Sequence, residues 1–296
     1  MKKIFLVLLL AAVIGVAGFY AVRYFRTESA TKKKNTEKAE NSSADLKQKV
    51  FTFSIDGRTP KGVKQWHLEG KAAEMVGNDI HLDDLDAVAY GDEITVNITS
   101  DAGIYSRDRS EVELMGNVRV LSEDGGVLTT EKAKWSQSTK DITTDEMVNI
   151  ERENMRATGT GARANSDEKR ATLLSDITVD LEPDTRIKCR GPLDVDFAGN
   201  NAVFLDSVEV TDKDGKLFSD KLTVNFDPET RKISEVIAEG NVKLLRGKSY
   251  TICEKAIYTD GTGSVEFVGK PRVVIAPEEL TKGGIFTGSG LGSNSR

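Results

Sequence analysis

Apolar and polar residues alternate along most of this chain in short runs. Examples are Ile94-Thr95-Val96-Asn97-Ile98, Val118-Arg119-Val120, Ile177-Thr178-Val179-Asp180-Leu181 and Leu222-Thr223-Val224-Asn225-Phe226. A period of two sets one face of a strand against a core and the other in water. Between the runs stand Asp56-Gly57, Asp124-Gly125-Gly126, Gly199-Asn200, Asp214-Gly215, Asp227-Pro228 and Asp260-Gly261. These residues supply the positive or preset φ that tight hairpins need. The pattern predicts many short antiparallel strands in a sandwich, jelly roll or solenoid.

The runs also repeat. Leu114-Met115-Gly116-Asn117-Val118 returns as Ala238-Glu239-Gly240-Asn241-Val242 and, loosely, as Phe267-Val268-Gly269-Lys270-Pro271. A second element follows by a hairpin: Thr130-Glu131-Lys132-Ala133, Ser219-Asp220-Lys221-Leu222 and Cys253-Glu254-Lys255-Ala256, with Ser100-Asp101-Ala102-Gly103 in the same mould. Through weaker copies the valine or isoleucine falls at Val118, Val148, Ile177, Val208, Val242 and Val273. That interval of roughly thirty residues is the size of one supersecondary unit. A strand pair cannot bury its apolar face alone, so the units are expected to stack into two facing sheets, elongated along the stacking axis.

Three segments break the alternation. The apolar run from Ile4 to Val22, through Leu8, Val13 and Phe19, has about the twenty residues a helix needs to cross a bilayer. A cleaved signal peptide, with a site near Gly15-Val16-Ala17, is the alternative, but the run continues past that site and favours an uncleaved anchor over residues 1–26. Lys2 and Lys3 favour a cytoplasmic N-terminus, whereas Arg23, Arg26 and Lys32-Lys33-Lys34 load the other flank, so charge alone does not set the topology. Residues 27–49 are polar and aperiodic and read as a tether. The Gly- and Ser-rich stretch 277–296 reads as a disordered tail.

Composition narrows the chemistry. A net charge of −6 argues against a nucleic-acid binder. Two histidines (His67, His81) and two cysteines (Cys189, Cys253) show no metal-ligand spacing. Asp83-Asp84-Leu85-Asp86 and Thr211-Asp212-Lys213-Asp214-Gly215 lack the spacing and distal glutamate of a calcium loop and read as solvated turns. Gly159-Thr160-Gly161 has no following Lys-Ser/Thr and is expected to bend a strand. No cofactor or catalytic group is expected. The two cysteines fall at different positions of the repeat, which favours two buried small apolar side chains, with a disulfide left open.

The order of apolar helix, polar tether, Trp66-His67-Leu68-Glu69-Gly70-Lys71-Ala72, Ile104-Tyr105, Gly116-Asn117-Val118 and Thr130-Glu131-Lys132-Ala133 resembles the LptC family of bitopic lipopolysaccharide-export proteins. From about Ile187 to Ile275, the markers Val208-Glu209-Val210, Asp214-Gly215, Ser219-Asp220-Lys221-Leu222, Gly240-Asn241-Val242 and Gly269-Lys270-Pro271 resemble the LptA/OstA-type domain. The LptC-like module is placed at 50–182 and the extension at 183–276, with Pro183 at the junction.

The resemblance implies an all-β protein, an elongated twisted β-jellyroll of antiparallel strands in two facing sheets behind one transmembrane helix. It would be a single-pass inner-membrane protein with its bulk in the periplasm. The implied partners are lipopolysaccharide, an LptBFG-like ABC transporter and an LptA-like bridge protein, and the implied role is physical transfer, not catalysis.

For the lipid slot the alternating positions nominate Trp66, Leu68, Ile94, Val96, Ile98, Leu114, Val118, Val120, Trp135, Ile150 and Val224. Periodicity shows burial and leaves open what fills the space, so a packed sandwich core is the competing reading. Phe51, Phe53, Val273 and Ile275 stand near opposite ends of the stack, where free sheet edges could add a strand from another jellyroll. An anchored β-scaffold or binding module without lipid transfer is the alternative function. An anchored polysaccharide enzyme is disfavoured by the low aromatic content of 6%.

Overall fold

The computed structural model describes residues 48–277, apart from 59–61, 91–94, 137, 166 and 231. The predicted anchor and the C-terminal tail beyond Pro277 lie outside the described residues, as does the tether except for its last two positions, Gln48 and Lys49, which already belong to the first strand. The chain divides into two compact units, one up to Thr172 and one from Leu173 on.

The first unit contains β1 (Gln48–Arg58), β2 (Lys64–Val76), β3 (Asp79–Tyr90), β4 (Thr95–Ser106), β5 (Glu111–Ser122), β6 (Val127–Ser136), β7 (Asp141–Arg152) and β8 (Met155–Asn165). From β1 to β7, each pairs antiparallel with the next in sequence. The second unit takes in most of β9 (Arg170–Leu181), then β10 (Thr185–Cys189), β11 (Leu193–Asp196), β12 (Asn201–Thr211), β13 (Lys216–Phe226), β14 (Ile233–Arg246), β15 (Ser249–Thr259), β16 (Ser264–Val268) and β17 (Arg272–Val274). Its meander is interrupted twice: β12 pairs with both β10 and β11, and β15 with both β16 and β17. Both breaks fall at a proline, Pro192 and Pro271, which has no N–H to donate to a ladder. The described chain is all-β and antiparallel, of the β-jellyroll type.

The strands bend near their middles. Register slips there in β4, β5, β6, β7, β12, β13, β14 and β15. At each bend a large apolar side chain stands opposite a small residue. The pairs are Phe53 with Gly70, Leu85 with Ser100, Val118 with Thr130, Val148 with Gly159, Ile177 with Cys189, Val208 with Ser219 and Val242 with Cys253. Directly opposed Cβ atoms are only about 5 Å apart, so large against small fills the interior without overpacking it. Gly70 shows the limit: a Cβ there would lie 2.5 Å from the ring of Phe53.

This column corrects three expectations. Cys189 and Cys253 occupy the same position of the repeat, each opposite its branched residue, and both are buried free thiols. Val273 is not in the column; it is 44% exposed, and Pro271 stands where the Gly-Asn-Val frame would put the valine. Asp56-Gly57 is not a turn but lies inside β1, because the Asp56 carboxylate is tied across to Lys64 and His67 on β2. The other turn dipeptides fall between strands, and Gly161 takes a φ of 72° inside β8, the bend expected of Gly159-Thr160-Gly161.

Candidate functional site

The interior of the first unit is lined from both halves of each bent strand. On one side of the bend, Trp66, Ala89, Val96 and Ser122 lie opposite one another in successive strands. On the other, Ile80, Tyr105, Val112, Trp135 and Ile142 form the matching row. Both rows are buried except at Val112, which is half-buried.

The nominated residues fall as follows. Trp66, Val96, Ile98, Leu114, Val118, Val120 and Trp135 are buried in this unit, while Leu68 and Ile150 are half-buried. Ile94 lies outside the described residues. Val224 is buried in the second unit, opposite Ala202 and Val236, beside a row in which large Phe204 and Leu222 are followed by small Ala238 and Ala256. Each large aliphatic side chain so buried contributes roughly 1.5–3 kcal/mol.

The aliphatic lining of the first unit has polar exceptions. The Nε1 of Trp66, the Nε1 of Trp135 and the hydroxyl of Tyr105 are sealed from solvent without a hydrogen-bond partner. Each such group costs about 1–3 kcal/mol if nothing accepts from it. Burial also raises the Tyr105 pKa, opposed by the nearby Arg107 charge. A further cluster lies at the β5–β6 turn. The Ser122 hydroxyl donates to Asp124, and the Asp124 carboxylate pairs with Arg152, both members nearly sealed from water. The alternating positions nominated none of Tyr105, Asp124 and Arg152. Tyr105 lies beyond the bend, and Asp124 and Arg152 are too far apart in the chain for a periodicity to join them.

At the β1 edge the polar side is knotted. Asp56 accepts from Lys64 (2.8 Å) and Arg58 (3.2 Å), and His67 bridges Asp56 and Glu69 at 2.7 Å on each nitrogen. Lys64 and His67 together hold the Asp56 carboxyl down at about 2. Glu69 foremost, then Asp56, raises His67 above its ordinary value. Phe51 is 72% exposed on this strand, with the Lys49 ammonium 5.3 Å from its ring centre, while Phe53 is half-buried. At the other terminus Val273 is exposed and Ile275 half-buried.

The second unit has an open groove of about 510 Å³ around the β9–β10 turn, lined by charged groups such as Asp180, Arg186, Lys188, Glu209 and Lys216. It is remote in character from the apolar rows, and its charges are mostly paired with one another. Burial pushes the Cys189 thiol up to about 11 and raises Cys253 as well. Among the described residues no group of three or more His, Cys, Asp or Glu converges as metal ligands, and no helix is long and apolar enough to cross a membrane.

Residues 6–182 match the family model described as lipopolysaccharide-assembly, LptC-related. Residues 192–294 match a second, described as LptA/(LptD N-terminal domain) LPS transport protein. No curated protein matches the chain.

Proposed function

Because the chain belongs to the LptC-related family and has a role in lipopolysaccharide transport, we propose that it receives lipopolysaccharide from an inner-membrane ABC transporter of the LptBFG kind and hands it to an LptA-like bridge protein. On this reading residues 4–22 span the inner membrane once and the strands lie in the periplasm. The LptC-like module is 50–182, and the extension 183–276 lengthens the path. The family transports and binds; the proposed step breaks no bond, and the energy comes from the partner ATPase.

The observation that supports this best is the inward aliphatic column, whose large-against-small rule recurs in both units. A chain of about ten methylenes would cost roughly 8 kcal/mol to hold in water, at about 0.8 kcal/mol each. It must therefore be covered throughout an aqueous crossing, and bent strands with aliphatic inner faces are suited to cover it. The exposed edge residues Phe51 and Val273, with Phe53 and Ile275 beside them, supply the proposed docking edges for neighbouring jellyrolls.

One observation favours the second reading, an anchored scaffold: Val96 and Trp135 are 0% exposed, as in a closed core. In-cell photocrosslinking separates the two. A photoreactive residue goes at Val96, Val118 and Val224, with exposed Asn97 as the control. ATP-dependent lipopolysaccharide adducts at the three inward sites and none at Asn97 are expected. Folded protein without adducts at any inward site leaves the scaffold.

A further inference from the structure

Among the described residues, the interior of the first unit holds three aromatic hydrogen-bonding groups that no protein atom meets. Trp66 and Trp135 are 1% and 0% exposed and Tyr105 is 4% exposed, yet the two indole N–H groups and the phenol are unpartnered. They are distributed deliberately with respect to the bend. Trp66 lies in one row, opposite small Ala89. Tyr105 and Trp135 lie in the other, both directly opposite Val112 on the strand between them. Directly opposed residues of an antiparallel ladder share a face, so Tyr105 and Trp135 stand on the same inner wall two strand spacings apart, roughly 10 Å. An interior meant only for hydrocarbon needs no donor, and phenylalanine or leucine would fill such positions without a sealed N–H.

We propose that these three groups donate to the carbonyl oxygens of ester- or amide-linked fatty-acyl chains, so that the interior selects acylated lipids over plain alkyl ones. This rests on the conduit reading and adds the chemical class that the conduit recognises. Carbonyls at the head of an acyl chain are the only strong acceptors such a chain carries, and burying them unmet would oppose entry. A donor on either side of the bend meets them while the alkyl parts lie against Val96, Val118 and Val120.

The chain has just two tryptophans, so tryptophan-selective ¹⁵N labelling gives two indole N–H signals that single Trp→Phe variants assign. The full chain is held in dodecyl maltoside, which offers alkyl chains but no carbonyl, and purified lipopolysaccharide is added. Both indole protons are expected to shift downfield as they gain an acceptor. Ester-linked phosphatidylcholine of short chain length is expected to bind about threefold to tenfold more tightly than its ether-linked counterpart, the worth of one or two net hydrogen bonds. Unmoved indole signals, with lipopolysaccharide adducts still forming at Val96, overturn the donor assignment alone and leave a water as the acceptor. Unmoved signals without adducts overturn the conduit reading too. Equal affinity for ester and ether lipids overturns the selectivity.

Discussion

The Gly-Asn pairs of β5 and β14 bend their strands by the same contacts. Gly116 and Gly240 take φ of 74° and 76°, and Asn117 and Asn241 each take 48°. Each asparagine donates its side-chain N–H to the aspartate of the neighbouring strand, Asp101 or Asp220, at 2.8 Å. A Cβ on Gly240 would lie 2.4 Å from the Asp220 carboxylate, so the position disfavours a side chain both by φ and by space. Gly240→Ala is therefore expected to cost about 1–3 kcal/mol, read as a lower urea midpoint. Gly261→Ala, with nothing near its added methyl, should stay within about 0.5 kcal/mol. Equal effects at the two sites would mean that Gly240 is not the bend. The buried Asp124–Arg152 pair makes a comparable claim. Asp124→Asn takes one carboxylate away from a nearly sealed guanidinium, and about 1–3 kcal/mol should be lost.

Between strands, the β1–β2 contact depends on pH through two groups. His67 has its pKa raised on folding by Glu69 and Asp56, so its contribution is complete below the unfolded value of about 6.5 and fades as pH climbs through the raised one. Asp56 is lowered to about 2; its contribution is complete above the unfolded value and is lost as pH falls from about 4 towards 2. Protection of the β1 amides, taken relative to their intrinsic exchange rate at each pH, should be greatest between those limits. His67→Gln should remove the alkaline loss of protection while the acid limb remains. An unchanged alkaline limb would show that some other group titrates there.

Much of this ladder was legible in the chain because each half-strand keeps period two: Val96 and Ile98, or Val118 and Val120, need nothing more. The bends were not legible. Inward positions run from Ser100 to Gly103 and from Ser219 to Leu222, three apart, but from Leu114 to Val118 and from Ala238 to Val242, four apart. Alternate strands thus slip parity at the bend, which hid Tyr105 and scattered Cys189 and Cys253 into seemingly different frames. The polar cluster at Arg152 arises from pairing across 28 residues, for which local pattern has no signal.

Taken together, the two units repeat one packing rule with different insulation at their termini. The first ends in β1, whose exposed Phe51 faces water, and the second in the short β17, interrupted from β16 by Pro271. A strand that short contributes few ladder bonds of its own, so its exposed Val273 and Val274 are more useful to an added strand than to the unit they belong to. If the second unit extends the lipid's path, truncation after Glu182 should separate loading from delivery. Lipopolysaccharide adducts at Val96 should persist, because the first unit supplies its own interior rows. Adducts on the bridge protein should fall by tenfold or more, because the proposed exit edge at Val273 and Ile275 has gone; a tenfold loss corresponds to about 1.4 kcal/mol of docking. Pulse-labelled lipid crosslinked at both stations in the same cells measures the two quantities together. Loss of both signals would mean that loading requires the second unit. Delivery at the full-length rate would mean that the bridge docks elsewhere, and the extension would then have to be explained without an exit edge.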